Sequence, residues 1–177
     1  MLPDMSGFDL CRRIREKHTY PVIMLTAKDG EMDKITGLTL GADDYITKPF
    51  RPLEMVARVK AQLRRYKKYN PAHGAEEAGE IMEHAGLVLN AKTHECLLDE
   101  QPLALTPTEF SLLRILLENK GNVVSAEELF HQIWKDEYYT KNNNTITVHI
   151  RHLREKLRDS VEHPRFIKTI WGVGYKI

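Results

Sequence analysis

The stretch from Tyr66 to His84 (YKKYNPAHGAEEAGEIMEH) most constrains what this chain can fold into. It is poor in aliphatic side chains and carries Pro71, Gly74 and Gly79 among alanines and glutamates. Such a segment has no apolar face to bury, so it predicts a linker over 66–84. The linker divides the 177 residues into one unit over 1–65 and another over 85–177. Each unit is small, so nearly all its aliphatic residues must serve one core. A hydrophobic share of 42% with 29% charged residues excludes global disorder. Apolar runs such as Val22 to Leu25 and Leu87 to Leu89 are far too short to span a membrane, and no membrane partner is expected. The opening Met1-Leu-Pro-Asp does not read as a secretory leader. Cys11 and Cys96 lie far apart with no metal or redox spacing, which predicts reduced thiols in the cytoplasm.

The formal net charge of +1 hides a strong polarity. Residues 85–140 hold four basic against nine acidic side chains, and residues 141–177 hold eight basic against three acidic. A basic end on an otherwise acidic domain fits a face turned toward a polyanion, although a solvated charged face gives the same count.

Residues 86–105 alternate as short strands do: Leu87, Leu89, then Cys96, Leu98, then Leu103, Leu105, with Asp99-Glu-Gln as a turn. In Thr106-Pro-Thr-Glu109, Thr106 can cap a helix, Pro107 suits its first turn and Glu109 closes a capping box. That helix passes Phe110, Leu113 and Leu117 and stops near Asn119-Lys-Gly121. Ser125-Ala-Glu-Glu128 opens a second helix with Leu129, Ile133 and Trp134. A third helix is predicted from about Asn144 to Arg158. Ile146, Ile150, Leu153 and Leu157 fall on one stripe of it. Thr147, Arg151, Arg154 and Arg158 form a second stripe, and Asn144, Val148 and Glu155 continue the exposed side. An apolar back with an arginine front suits the DNA major groove, where arginines meet phosphates and guanine edges. Two apolar runs around Gly172-Val-Gly174 then predict a terminal β-hairpin. Two capped helices, a basic third helix and a hairpin make a winged helix-turn-helix.

The joint pattern Leu105-Thr-Pro-Thr-Glu-Phe110, Asn144-Thr-Ile-Thr-Val-His-Ile-Arg-His-Leu-Arg-Glu-Lys-Leu157 and Trp171-Gly-Val-Gly-Tyr175 resembles the effector domain of OmpR/PhoB-type response regulators. The resemblance implies that Val148 meets base edges and thymine methyl groups. Arg151 and Arg154 would hold the backbone, with His152 on the same approach. Many relatives have an arginine where Trp171 stands at the wing tip. Trp171 cannot supply an arginine's attraction to a narrow minor groove, so contact with DNA and packing on the domain both remain open for it.

In the first unit, Ser6-Gly-Phe-Asp9 reads as a helix start, with Phe8, Leu10, Cys11 and Ile14 as its apolar contacts. Pro21 to Leu25 reads as a buried parallel strand. Lys34 to Leu40 is a short helix ending at Gly41, and Tyr45-Ile-Thr47 a second strand. Pro52 opens a helix carrying Leu53, Val56, Val59 and Leu63. Alternating strands and helices imply a parallel α/β sheet. Met24-Leu-Thr-Ala-Lys28 with Gly41-Ala-Asp-Asp-Tyr-Ile-Thr-Lys-Pro-Phe50 resembles the second half of a doubly wound, flavodoxin-like receiver. The resemblance makes Thr26 the hydroxyl that bonds a phosphoryl oxygen, Tyr45 the switch aromatic and Lys48 the ammonium facing the phosphoryl group. It also implies a cis bond at Lys48-Pro49.

In that family the phosphoacceptor aspartate stands two residues ahead of the Met-Leu-Pro that opens this chain. The acidic pair that binds Mg²⁺ lies near the receiver's start. Asp4, Asp9 and Asp29 match neither position. The resemblance thus implies a receiver present as its second half only, with no phosphoacceptor, no metal site and no resident cofactor. Mg²⁺ belongs to an intact receiver. Two short strands are few for a stable parallel sheet.

The same resemblance implies a symmetric dimer face. Lys34 would pair with Glu54, Asp44 with Arg58 and Asp43 with Lys60, around Ile35, Leu38 and Val56. Pairs within one chain are the alternative. The segments Arg15 to Leu25, Pro49 to Glu54, Lys60 to Lys67 and Lys168 to Lys176 most resemble the vancomycin-resistance branch of the family. Its members act with a sensor histidine kinase to turn on cell-wall precursor remodelling genes.

The leading expectation is a DNA-binding regulator of two-component type. Its implied partners are promoter duplex DNA, the kinase of the intact regulator, RNA polymerase and a second copy. The alternative is a non-phosphorylatable interaction fragment that heterodimerises with an intact regulator. No enzyme is expected. His149 and His152 lack a further ligand to complete a metal site, and phosphate-loop and zinc-protease motifs are absent.

Overall fold

The computed structural model describes residues 5–68, 81–134 and 145–177. The first unit comprises α1 (Gly7–Arg15), β1 (Ile23–Thr26), α2 (Glu31–Thr39), β2 (Asp44–Thr47) and α3 (Pro52–Lys68). Ser6 caps α1, its Oγ accepting from the Phe8 amide at 3.2 Å. β1 and β2 pair in parallel, from Ile23 opposite Asp44 to Thr26 opposite Thr47. The fully buried strand expected at Pro21–Leu25 is only half-buried, with Leu25 exposed. A sheet of two strands screens β1 on one side alone. α3 departs further from its sequence pattern. Leu53, Val56 and Leu63 face outward, while Ala61 and Gln62 are buried.

The second unit begins with an antiparallel sheet of β3 (Ile81–His84), β4 (Leu87–Asn90), β5 (Glu95–Leu98) and β6 (Gln101–Pro102), in that spatial order. Asp99 and Glu100 both take positive φ in the β5–β6 turn, as a tight hairpin requires. The predicted strand residues Leu103 and Leu105 lie beyond β6 and pack on the core instead. The linker expected over 66–84 is shorter at both ends: Tyr66 to Lys68 continue α3, and Ile81 to His84 pair with β4. Its middle lies outside the described residues.

α4 (Pro107–Glu118) carries the expected capping box. The Thr106 amide donates to Glu109 Oε2 at 2.7 Å, and the Glu109 amide donates to Thr106 Oγ1. β7 (Val124–Ser125), α5 (Ala126–Trp134) and α6 (Thr145–Leu157) follow. β8 (Lys168–Ile170) and β9 (Gly174–Lys176) form the terminal hairpin, and β9 lies between β7 and β8. β7 and β9 approach so closely that a Cβ on Gly174 would collide with the Val124 carbonyl oxygen. Leu89, Leu112, Leu113, Leu116, Leu129, Ile146, Ile150, Leu153 and Ile167 make the centre of one continuous core. The architecture is a receiver portion followed by a winged-helix effector domain.

The two units meet. α2 packs against α6, and α3 against α4. Thr108 Oγ1 donates to Asp43 Oδ1 at 2.9 Å across the boundary.

Candidate DNA interface and receiver switch

The effector domain orients α6 by its apolar stripe. Ile146, Ile150, Leu153 and Leu157 are all buried in the core, which turns the opposite face outward. Thr147, Arg151 and Arg158 are exposed there, and His152 is half-exposed. Arg151 pairs with exposed Glu155 of the next turn, at 3.0 Å. Such a pair is weak and easily exchanged for a phosphate. Thr147 Oγ1 and Tyr175 Oη of the wing lie 3.3 Å apart and tie α6 to the hairpin.

Two residues expected on the DNA face are elsewhere. Arg154 is buried. Its Nη2 donates to the Ile167 carbonyl and to Thr169 Oγ1, both at 2.8 Å. The wing packs on that side of α6, so Arg154 positions β8 rather than projecting to solvent. Val148 is only 7% exposed and lies outside the core cluster. Among the described elements, α2 is what lies against α6 beyond that core. Asn144, the remaining predicted contact, lies outside the described residues.

The wing tip stands in solvent. Trp171 is 84% exposed and Val173 is exposed beside it, so packing of Trp171 on the domain is excluded in this structure. At the hairpin's base Lys168 stands directly opposite Lys176. Like charges across a strand pair are unfavourable unless an anion joins them. Asp159 is a functional position that the sequence patterns above pass over. Its carboxylate accepts the Arg165, Phe166 and Ile167 amides and so fixes the turn leading into the wing. The available signal is an Asp just past a helix end, a frequent loop-capping position.

In the receiver portion, Thr26 ends β1 and Lys48 follows the end of β2, at the carboxyl edge of the parallel pair where open α/β sheets place their ligands, while Tyr45 stands opposite Met24 earlier in β2. The Lys48 amide donates to the Thr26 carbonyl at 2.7 Å, and the Lys48 side chain is exposed. Tyr45 Oη donates to the Lys28 carbonyl at 3.0 Å. Burial raises the Tyr45 phenol above its ordinary pKa, keeping it a donor. The expected cis bond at Lys48-Pro49 is present. The Tyr45 ring rests on Gly37 of α2, where a Cβ would meet it at 2.9 Å. Gly37 is thus a positioning residue that no sequence signal marks. No cluster of three His, Cys, Asp or Glu side chains capable of holding a metal exists among the described residues. Asp33 is engaged with Lys28 and Asp9 with Arg12.

The residues expected at a dimer face divide three ways. Lys34, Val56 and Lys60 are exposed, Ile35 is half-buried and Leu38 is buried. Arg58 pairs within the chain, with Asp44 at 3.2 Å and Glu54 at 3.0 Å. Asp43 is fully buried and bonded to Arg15 Nη2, the Val22 amide and Thr108. Burial raises its carboxyl above the usual range, and the Arg15 guanidinium works against that rise.

A receiver portion joined to a winged helix with an exposed basic edge defines a class of transcription regulator. Two family profiles match the chain: "Response regulator receiver domain" over residues 1–60 and "Transcriptional regulatory protein, C terminal" over residues 100–177. The chain belongs to the OmpR/PhoB-type response regulators, the DNA-binding transcription regulators of two-component systems. It is 69% identical over 178 residues to Regulatory protein VanR of Enterococcus faecium, covering 100% of this chain and 76% of that protein. It is 54% identical over 177 residues to Regulatory protein VanRc of Enterococcus gallinarum, again covering 100% and 76%. The solved structure of response regulator DrrB, a Thermotoga maritima OmpR/PhoB homolog, matches with a TM-score of 0.50 and 35% identity, over 100% of this chain and 76% of that one.

Proposed function

We propose that this regulator reads promoter duplex DNA with the exposed edge of α6 (Thr147, Arg151, His152 and Arg158) and with the wing that carries Trp171. The observation that carries the reading is that this edge and the wing tip both stand exposed, with α6 tied to the hairpin through Thr147 and Tyr175. Arginines and lysines supply phosphate contacts, and an exposed aromatic supplies a contact that needs no charge. The regulated genes in this reading are those of cell-wall precursor remodelling and the upstream partner is a sensor histidine kinase, a reading supported by the 69% identity to VanR of Enterococcus faecium. A second copy joins through the outward residues Lys34, Val56 and Lys60.

Fluorescence titration tests the DNA reading. Trp134 is buried and Trp171 exposed, so duplex binding quenches the exposed indole, and affinity falls steeply with salt. Salt-insensitive or absent binding counts against the reading.

A further inference from the structure

The wing ends in a loop with no charge. Ile170-Trp-Gly-Val-Gly174 carries no ionisable side chain, and Trp171 and Val173 at its tip are 84% and 57% exposed. Holding an indole in water is unfavourable, yet the loop is shaped to do so. The Val173 amide donates to the Ile170 carbonyl at 3.0 Å, and Gly172 takes a φ of 74°. That is a type II turn, with Trp171 at its second position and glycine where positive φ is required. Below the turn the hairpin is held from two sides. β9 presses on β7 at Gly174, and Arg154 of α6 donates to the Ile167 carbonyl and to Thr169 Oγ1. The indole is thus carried on a preorganised arm whose position relative to α6 is set.

The length of that arm decides where it arrives. Tyr175 Oη lies 3.3 Å from Thr147 Oγ1 of α6. Gly172 is a few positions further along the hairpin, about 10 Å at roughly 3.3 Å per residue, and the indole extends beyond it. A helix with its side chains fills the major groove, which is about 12 Å wide. An arm this long therefore leaves that groove and passes the phosphate rim, where the Lys168–Lys176 pair at its base meets anions, to reach the neighbouring minor groove. The tip has no cation to offer to the negative potential there. It offers an apolar plate, and apolar side chains in a minor groove act by entering between base pairs.

We propose that Trp171 is a wedge that inserts between two base pairs in the minor groove flanking the α6 site, unstacks them and kinks the duplex, so that the wing selects a pyrimidine–purine step. The inference rests on the reading of α6 and the wing as the DNA-contacting surface. Steps such as TA and CA unstack most easily, so insertion costs least there. This selectivity needs no hydrogen bond to a base and does not depend on salt, unlike the phosphate contacts of Arg151.

The full chain is used to select short duplexes from a randomised pool at low salt. One selected duplex is remade with TA, AA or GC at each flanking position in turn, and with 2-aminopurine in place of the adenine of TA. Wild-type binding brightens 2-aminopurine at one position, and TA is preferred to AA and GC there. Trp171 is exposed and outside the core, so Trp171→Ala keeps the fold. It lowers affinity for the TA duplex about tenfold, as loss of one aromatic–base stack predicts, and removes both the preference and the brightening. Trp171→Phe restores part of both. The slope of log affinity against log salt is the same for wild type and Trp171→Ala, whereas Arg151→Ala lowers the slope and keeps the TA preference. A Trp171→Ala chain with unchanged step preference, or 2-aminopurine that stays dark at every position, overturns the wedge and leaves the DNA reading standing. Recovery of no duplex from the pool removes the DNA reading and the wedge with it.

Discussion

The receiver portion and the effector domain carry comparable apolar stripes and use them differently. In the effector domain the stripes of α4, α5 and α6 converge, and two antiparallel sheets close the ends of one core. In the receiver portion a single parallel pair, β1 and β2, has helices around it, and α3 leaves Leu53, Val56 and Leu63 in solvent. A residue's contribution thus depends on how many layers meet over it, not on its hydrophobicity alone. The effector domain closes on one core, and the receiver portion leaves aliphatic side chains outward.

The largest effect that can break this contrast comes from matched truncations. Leu153→Ala, in the closed core, costs about 2–5 kcal/mol of stability in denaturant unfolding. Leu53→Ala, on the outward face of α3, stays within about 0.5 kcal/mol. Equal losses would show that the receiver portion is as tightly packed as its neighbour. Next is Arg154→Ala, which removes two bonds to the wing and costs roughly 1–3 kcal/mol, with little change in the salt slope of DNA binding. Arg151→Ala does the reverse. Stability holds, and the slope of log affinity against log salt shrinks by about 0.9. A wing that keeps its thermal stability without Arg154 would return that residue to the DNA face.

Smaller still is a pH effect confined to the effector domain. His94 stacks on Phe110 with ring centroids 3.6 Å apart, and burial lowers its pKa from 6.5 to about 4. The unfolded chain takes up the proton near 6.5 and the folded chain only near 4. The domain's stability is full above that unfolded value and declines as pH falls toward the folded one. His94→Phe flattens that slope in thermal melts across the window. A slope that survives the substitution assigns the effect to another group. The smallest effect belongs to Gly37→Ala, which shifts the Tyr45 ring without unfolding the sheet and shows as a changed tyrosine ring signal by NMR. An unmoved ring would separate the switch tyrosine from α2.

Much was legible from local sequence. The caps at Ser6, Thr106 and Ser125 start their helices where the residues indicate, because a cap is satisfied by an amide two or three positions away. Thr26 and Lys48 meet because strand pairing alone brings their backbones together. Less was legible where two faces compete. The exposed stripe of α6 contained three arginines, and nothing local distinguishes Arg154, which the wing claims, from Arg151, which it leaves exposed. α3 misled for the same reason. Its aliphatics mark a face, but the residues buried are Ala61 and Gln62, on a helix that packs against α4 of the other unit.

The sequence by itself determined most of the helices, their caps, the division into two units and the family to which the chain belongs. These rest on periodicity and on contacts between residues close in the chain. Only the tertiary structure decided that Val148 is covered, that Arg154 holds the wing, that Asp43 bonds Thr108 and that Trp171 stands in solvent. Each depends on an element distant in sequence, and burial is a property of what arrives from elsewhere in the fold.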